Sequence, residues 1–169
     1  MSNLVEPLIK RLIDKKGHIT FAEFMSTALY EPEVGYYSTK SPVGKSGDYF
    51  TSPTAHPAFG ALLSLQIKRM WQSIGQPSKF FVIEMGSGSD LLAKDITHHI
   101  QLQDDEFKEA LNYITIDRNI FKHTNSSLLN IQKILSDRIP LRNIEGCFIS
   151  NELIDSFPVH KFKIQNGII

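Results

Sequence analysis

The chain has 169 residues, 41% of them hydrophobic and 21% charged, which is enough for one domain with a real core and ordinary for a globular protein. Lys plus Arg and Asp plus Glu both number 18, so the net charge singles out neither nucleic acid nor an anionic membrane surface as the main partner. The single cysteine, Cys147, excludes a disulfide framework within the chain and reads as a small buried hydrophobe in a reducing compartment. Residues 1–17, MSNLVEPLIKRLIDKKG, contain no apolar run of signal-peptide or membrane length, so cytoplasm is the default expectation and membrane insertion is not. Histidines 18, 56, 98, 99, 123 and 160 lie without cysteine companions or H-E-x-x-H spacing, so no metal site is expected.

Leu4, Val5, Leu8, Ile9, Leu12 and Ile13 repeat at helical spacing, Pro7 falls in the first turn, and Gly17 closes this amphipathic N-terminal helix. Thr20 and Glu23 form a T-x-x-E capping box for a second helix with Phe21, Phe24, Met25, Ala28 and Leu29 on its buried face, halted near Pro32. The two helices read as packing on the edge of a following sheet, with an added lid or partner surface as the alternative.

Residues 35–57 are dense in Gly, Pro, Ser and Thr, the composition of a long loop. Tyr36, Tyr37, Tyr49 and Phe50 are too many aromatics for a flexible linker, so the stretch reads as an ordered active-site lid. Ser52 and Pro53, or Thr54 with Pro57, start the next helix, whose face is Phe59, Leu62, Leu63, Ile67, Met70 and Trp71 and whose end is marked by Gly75 and Pro77.

Phe80 to Ile83 is a short apolar run of the kind a buried parallel strand shows. Glu84 leads from it into Gly86-Ser87-Gly88-Ser89-Asp90, and helical spacing resumes at Leu91, Leu92 and Ile96. Strand, glycine loop and helix together suit a nucleotide-like ligand, because glycines permit the tight turn and a close approach to the backbone. The third glycine of G-x-G-x-x-G is missing, and Asp90 would repel a pyrophosphate at the helix start. E-x-G-x-G instead suits S-adenosylmethionine, which brings no phosphate and whose positive charge a carboxylate such as Glu84 attracts. A plain glycine turn joining a strand to a helix is the alternative.

Asp104-Asp105-Glu106 reads as a solvated connection. Tyr113 to Ile116 is the next strand and ends in Asp117, which takes the place of the acidic ribose ligand at the end of a second strand, with a helix N-cap as the alternative. Ile120, Thr124, Leu128, Ile131 and Leu135 then predict a helix returning across the sheet. Residues 139–144 are too short and mixed to assign as a strand. Cys147 to Ile149 is a further buried strand, and Asn151, Glu152 and Asp155 stand at its carboxyl end, where ligands of open α/β sheets bind. Helical geometry would put Glu152 and Asp155 on one side, three residues apart. Val159 to Ile169 begins another strand-like piece.

G-Y-Y at Gly35 to Tyr37, G-D-Y-F-T-S-P at Gly47 to Pro53, F-G at Phe59-Gly60, E-M-G-S-G at Glu84 to Gly88 and N-E-L-I-D-S-F-P-V-H at Asn151 to His160 occur together, in the order seen in the MidA-like family. The chain resembles the N-terminal part of such a protein. The resemblance implies S-adenosylmethionine-dependent methyltransferases of bacteria and mitochondria, the mitochondrial members being complex I assembly factors that methylate a protein arginine. It assigns cofactor contacts to Gly47, Asp48, Thr51, Glu84, Gly86, Gly88 and Asp117, and the chemistry to Asn151, Glu152 and Asp155. The family pattern carries a third glycine where this chain has Asp90 and an acidic residue where it has Thr54. Its members continue well beyond the N-E-x-x-D segment.

The expected fold is therefore α/β, a Rossmann-like methyltransferase fold, apparently truncated, with an N-terminal helical extension. Residues 1–78 are expected to hold the helices and lid loop, and residues 79–169 the cofactor-binding core. The expected function is S-adenosylmethionine-dependent methylation of a protein side chain, arginine by the resemblance, with a respiratory complex subunit as the kind of substrate implied. A catalytically idle partner of the same fold is the alternative, and a nucleotide-dependent oxidoreductase a distant third. The strand from Val159 is expected to present an open edge, paired with a second copy of the chain or with another polypeptide, or else to be poorly ordered.

Overall fold

The computed structural model describes residues 4–40, 43–44, 47–103, 106–119, 131–164 and 166. The chain divides into two units, Met1–Pro42 with Ile154–Ile169, and Val43–Leu153. The boundary expected at 78/79 falls inside the second unit, because the helix before it packs on the sheet that follows.

In the first unit, α1 (Val5–Lys16) ends at Gly17, whose φ of 80° lets its N–H reach back to the Ile13 carbonyl at 2.7 Å. Helix α2 (Phe21–Tyr30) opens on the capping box read from the sequence: the Glu23 N–H donates to Thr20 Oγ1 at 3.1 Å and the Thr20 N–H to Glu23 Oε2 at 2.8 Å. A single turn, α3 (Tyr36–Thr39), sets Tyr37 against Tyr30 with ring centroids 5.6 Å apart. The Tyr30 hydroxyl donates to the Ser156 carbonyl at 2.8 Å, fastening the 3-10 turn Ile154–Ser156 to α2. Among the described residues Val159 to Ile164 form no strand, contrary to the expectation; Val159, Phe162 and Ile164 are exposed, with no ladder partner to make a strand of them. Residues 165 and 167–169 lie outside the described set.

The second unit begins with α4 (Ser52–Ala55) and α5 (Ala58–Ser73), so residues 35–57 carry two short helices rather than one continuous loop. Strand β1 (Phe80–Met85), α6 (Leu91–Gln101), α7 (Glu106–Ala110), β2 (Leu111–Asp117), β3 (Ile131–Leu135) and β4 (Gly146–Ile149) follow. The sheet is wholly parallel, in the order β3-β2-β1-β4. Residues 131–135 are thus a strand and not the end of a helix. Ile131, Ile134 and Leu135 sit at helical spacing, and pairing with β2 overrides it in favour of the strand. The upstream part of that expected helix, Ile120 to Leu128, lies outside the described residues, as do Asp104 and Asp105.

Side chains alternate between two covered faces. Phe80, Val82 and Tyr113 face α5, α6 and α7, where Ile67, Trp71, Ile96 and Phe107 complete the larger core. Ile83, Ile114 and Ile116 face the other way and are covered by Ile134, Leu141 and Ile144. Each such buried side chain stabilises the fold by roughly 1.5–3 kcal/mol before conformational entropy is counted. The chain order reverses between β1 and β4, so the crevice at their carboxyl ends is where an open α/β sheet binds its ligand.

Candidate functional site

Glu84, Thr115 and Lys133 are in register on β1, β2 and β3, and so form a polar row on the helix-covered face near the carboxyl ends of the strands. Tyr113 and Asp117 flank Thr115 on that face. Glu84 is only 3% exposed and accepts the Tyr113 hydroxyl at 2.8 Å. Burial pushes its carboxyl up to about 7, against the Tyr113 hydrogen bond, which lowers it; the nearby Asp90 and Asp117 raise it and Lys133 lowers it. The Tyr113 hydroxyl is driven upward in turn by burial and by that carboxylate. Glu84 therefore lies within the fold beneath the loop it introduces.

The loop after β1 needs left-handed backbone at three places: Gly86 (φ 76°), Gly88 (φ 55°) and Asp90 (φ 59°). The Gly86 N–H donates to the Ile116 carbonyl at 2.8 Å, and the Gly88 N–H to Asp117 Oδ2 at 2.8 Å. The Asn119 N–H donates to Asp117 Oδ1 at 2.9 Å, so each carboxylate oxygen accepts one backbone bond and keeps a lone pair for another donor. A Cβ at Gly88 would enter open space, whereas one at Gly86 would stand 2.7 Å from Leu153 Cδ1. Asp90 occupies the N-cap position of α6, and its carboxylate turns away from the helix N–H groups to two other partners: Ser87 Oγ donates to its Oδ1 at 2.7 Å and Lys133 Nζ lies 2.8 Å from its Oδ2.

The geometry brings Glu84, Gly86, Gly88 and Asp117 together from the expected cofactor set. Gly47 and Thr51 belong to a separate turn in the same unit, in which the Gly47 N–H donates to the Gly44 carbonyl at 2.9 Å and the Thr51 N–H to Thr54 Oγ1 at 2.8 Å. Asp48 lies between them, ahead of α4, which packs against α5 and α6. Thr54, the departure from the family pattern, is thus part of the cap of α4.

Asn151 and Glu152 follow β4, and the Asn151 amide donates to Glu152 Oε1 at 3.5 Å. The helix expected to align Glu152 with Asp155 is absent: Glu152 has φ 49°, which stops a right-handed helix, and the 3-10 turn starts only at Ile154. Glu152 is exposed at the end of the second unit, and Asp155 is exposed in the first.

A family profile described as "Putative S-adenosyl-L-methionine-dependent methyltransferase" matches residues 62–169, which hold the whole sheet and the glycine loop. The chain belongs to this family. Among its relatives, the zebrafish (Danio rerio) mitochondrial protein arginine methyltransferase NDUFAF7 is 35% identical over 98% of this chain and 46% of its own length. The Drosophila melanogaster mitochondrial homologue is 26% identical over 89% of this chain and 40% of its own. A solved structure from Burkholderia thailandensis with S-adenosyl-homocysteine bound superposes with a TM-score of 0.72 at 24% identity, covering 91% of this chain and 42% of that one. This chain spans less than half the length of these relatives. No described helix is long and apolar enough to cross a membrane.

Tyr113, Lys133 and Leu153 stand at this candidate site without having been expected there. The alternation Tyr113-x-Thr115-x-Asp117 was a usable signal, since a polar line at period two on a buried strand marks a polar face. Lys133 and Leu153 carried no comparable signal, because their partners stand far away in sequence.

Proposed function

We propose that the Val43–Leu153 unit binds S-adenosylmethionine at the glycine loop and serves methyl transfer to a protein side chain, arginine by the names of the relatives. The observation that carries the reading is the 2.8 Å bond from the Gly88 N–H to Asp117, which sets a carboxylate with free lone pairs beside an open glycine backbone. The residues fit the cofactor. Asp117 would accept the ribose hydroxyls, Gly86 and Gly88 would let the amino-acid portion approach the backbone, and Glu84 would attract its positive charge when ionised. Gly47, Asp48 and Thr51 are proposed as further contacts.

The bound cofactor supplies an activated methyl group on a sulfonium. The protein's task is then to orient an acceptor nitrogen in line with it, a matter of proximity. Glu152 and Asp155 are the proposed guanidinium-pairing carboxylates and Asn151 the orienting amide, since carboxylates pair with guanidinium in bidentate fashion. Amide replacement of either carboxylate should abolish transfer while leaving cofactor affinity nearly intact; parallel loss of both would make these residues structural.

Strand β4 stands at the edge of the described sheet, and we propose that a further strand pairs there. The substrate is proposed to be a respiratory complex subunit. The compartment is proposed to be reducing, the cytoplasm or, as the relatives' names state for them, the mitochondrion. Calorimetric titration with S-adenosylmethionine, S-adenosyl-homocysteine and NAD tests the binding half of this reading, and a methyl-transfer assay on candidate partner proteins tests the other. Binding of the first two without NAD supports it, and NAD binding alone overturns it.

A further inference from the structure

Asp90 is the last loop residue before α6 and holds a left-handed conformation, φ 59° and ψ 22°, that residues with a Cβ avoid. Asp tolerates it when its side chain bonds locally, as the Ser87 hydroxyl does here at 2.7 Å. Its second oxygen meets Lys133 Nζ at 2.8 Å, across 43 residues of sequence, from the strand two places away in the sheet. The two side chains are 16% and 13% exposed, so neither charge is fully hydrated and each depends on the other.

We propose that Lys133 is a positioning residue of the glycine loop: by holding Asp90 in its left-handed turn it keeps Gly86 and Gly88 facing Asp117 in the geometry a cofactor meets. The consequence for binding rests on the cofactor reading above; the loop geometry does not. Without Lys133, Asp90 would be left charged and poorly hydrated close to Glu84 and Asp117, and the loop would open to bring it to water. Glycine at position 90 would take the same turn with no charge to balance. Lys133 should therefore be needed only while Asp90 is there to be balanced.

The charged and titratable groups around Glu84 give a second readout. Tyr113 and Asp117 approach it from β2, Lys133 from β3 and Asp90 from the start of α6; Asp90 raises its proton affinity and Lys133 lowers it. Removing one member of the pair should move the Glu84 titration one way and removing the other should move it back, which reports that both charges stand beside Glu84.

The test uses the full chain as K133M, D90G and the double variant. S-adenosyl-homocysteine affinity is measured by calorimetry, and the pH midpoint of stability by denaturation across the acid-to-neutral range. K133M should bind at least about tenfold more weakly, whereas D90G and the double variant should stay within about threefold of wild type, a coupling expected only of groups in contact. The stability midpoint should rise in K133M, fall in D90G and return in the double variant. A K133M loss that persists undiminished in the double variant, or a K133M protein with unchanged affinity, would overturn the proposal. If the wild-type chain binds no S-adenosyl-homocysteine, the cofactor reading fails, and the stabilities decide the role of the pair: a K133M loss of stability that D90G relieves in the double variant supports it, and one that D90G leaves in place overturns it.

Discussion

Leu153 covers Gly86: a Cβ built on that glycine would stand 2.7 Å from the leucine's Cδ1. The contact joins the loop after β1 to the segment after β4, across the point where the strand order reverses. It makes Leu153 a wall of the glycine loop.

Gly86→Ala should accordingly destabilise the protein through two separable terms. The left-handed φ of 76° costs a residue with Cβ about 1–2 kcal/mol, and the clash with Leu153 adds to it. Adding Leu153→Ala should relieve the clash and leave the backbone cost. Chemical denaturation of the single and double variants checks this; a G86A protein as stable as wild type would show that the loop takes another conformation.

Glu84 predicts a pH dependence whose sign follows from its burial. Its folded-state proton affinity is raised, from 4.5 to about 7, so the protonated form is favoured in the folded protein and this group's contribution to stability is greatest at low pH. That contribution falls as pH rises from 4.5 to about 7 and is lost above, a difference of roughly 3 kcal/mol at 1.36 kcal/mol per pH unit. Glu84→Gln keeps an acceptor for the Tyr113 hydroxyl and should flatten this slope and raise stability at pH 8. A wild-type profile already flat over that window, or an E84Q protein weaker at pH 8, would contradict the burial argument.

Helix α5 crosses α6 at Gly60, where a Cβ would lie 2.5 Å from the Asp95 Cβ and 3.1 Å from the Ile96 backbone nitrogen. Neither neighbour is the far end of a flexible side chain, so Gly60→Ala must push the helices apart, at a cost of about 1–3 kcal/mol. A fall in the denaturation midpoint without change in slope is the expected result. An unchanged midpoint would mean that the crossing gives way freely.

How much of this was legible beforehand divides along sequence distance. The capping box of Thr20 and Glu23, the strand–glycine–helix unit at Phe80 to Ile96 and the strand ending in Asp117 all declare themselves within a few residues, where period and turn chemistry operate. Residues 131–135 did not: Ile131, Ile134 and Leu135 sit at helical spacing, and Lys133 interrupts the alternation a half-buried strand would show. Its place beside Thr115 is a tertiary fact. Glu152 failed for the opposite reason, since a left-handed residue breaks a helix that its neighbours' types would allow. Asp90 read as a departure from a glycine pattern, yet its balancing charge arrives from another strand and leaves no mark on the local sequence.

The central claim is that Asp117, held 2.8 Å from the Gly88 N–H, is the ribose acceptor of an S-adenosylmethionine site. Calorimetric titration of wild type and Asp117→Ala with S-adenosyl-homocysteine tests it most directly. Two charge-assisted hydrogen bonds of roughly 1.5–3 kcal/mol each should vanish, so affinity should fall at least about tenfold. Equal affinity in a D117A protein that remains folded would contradict the account.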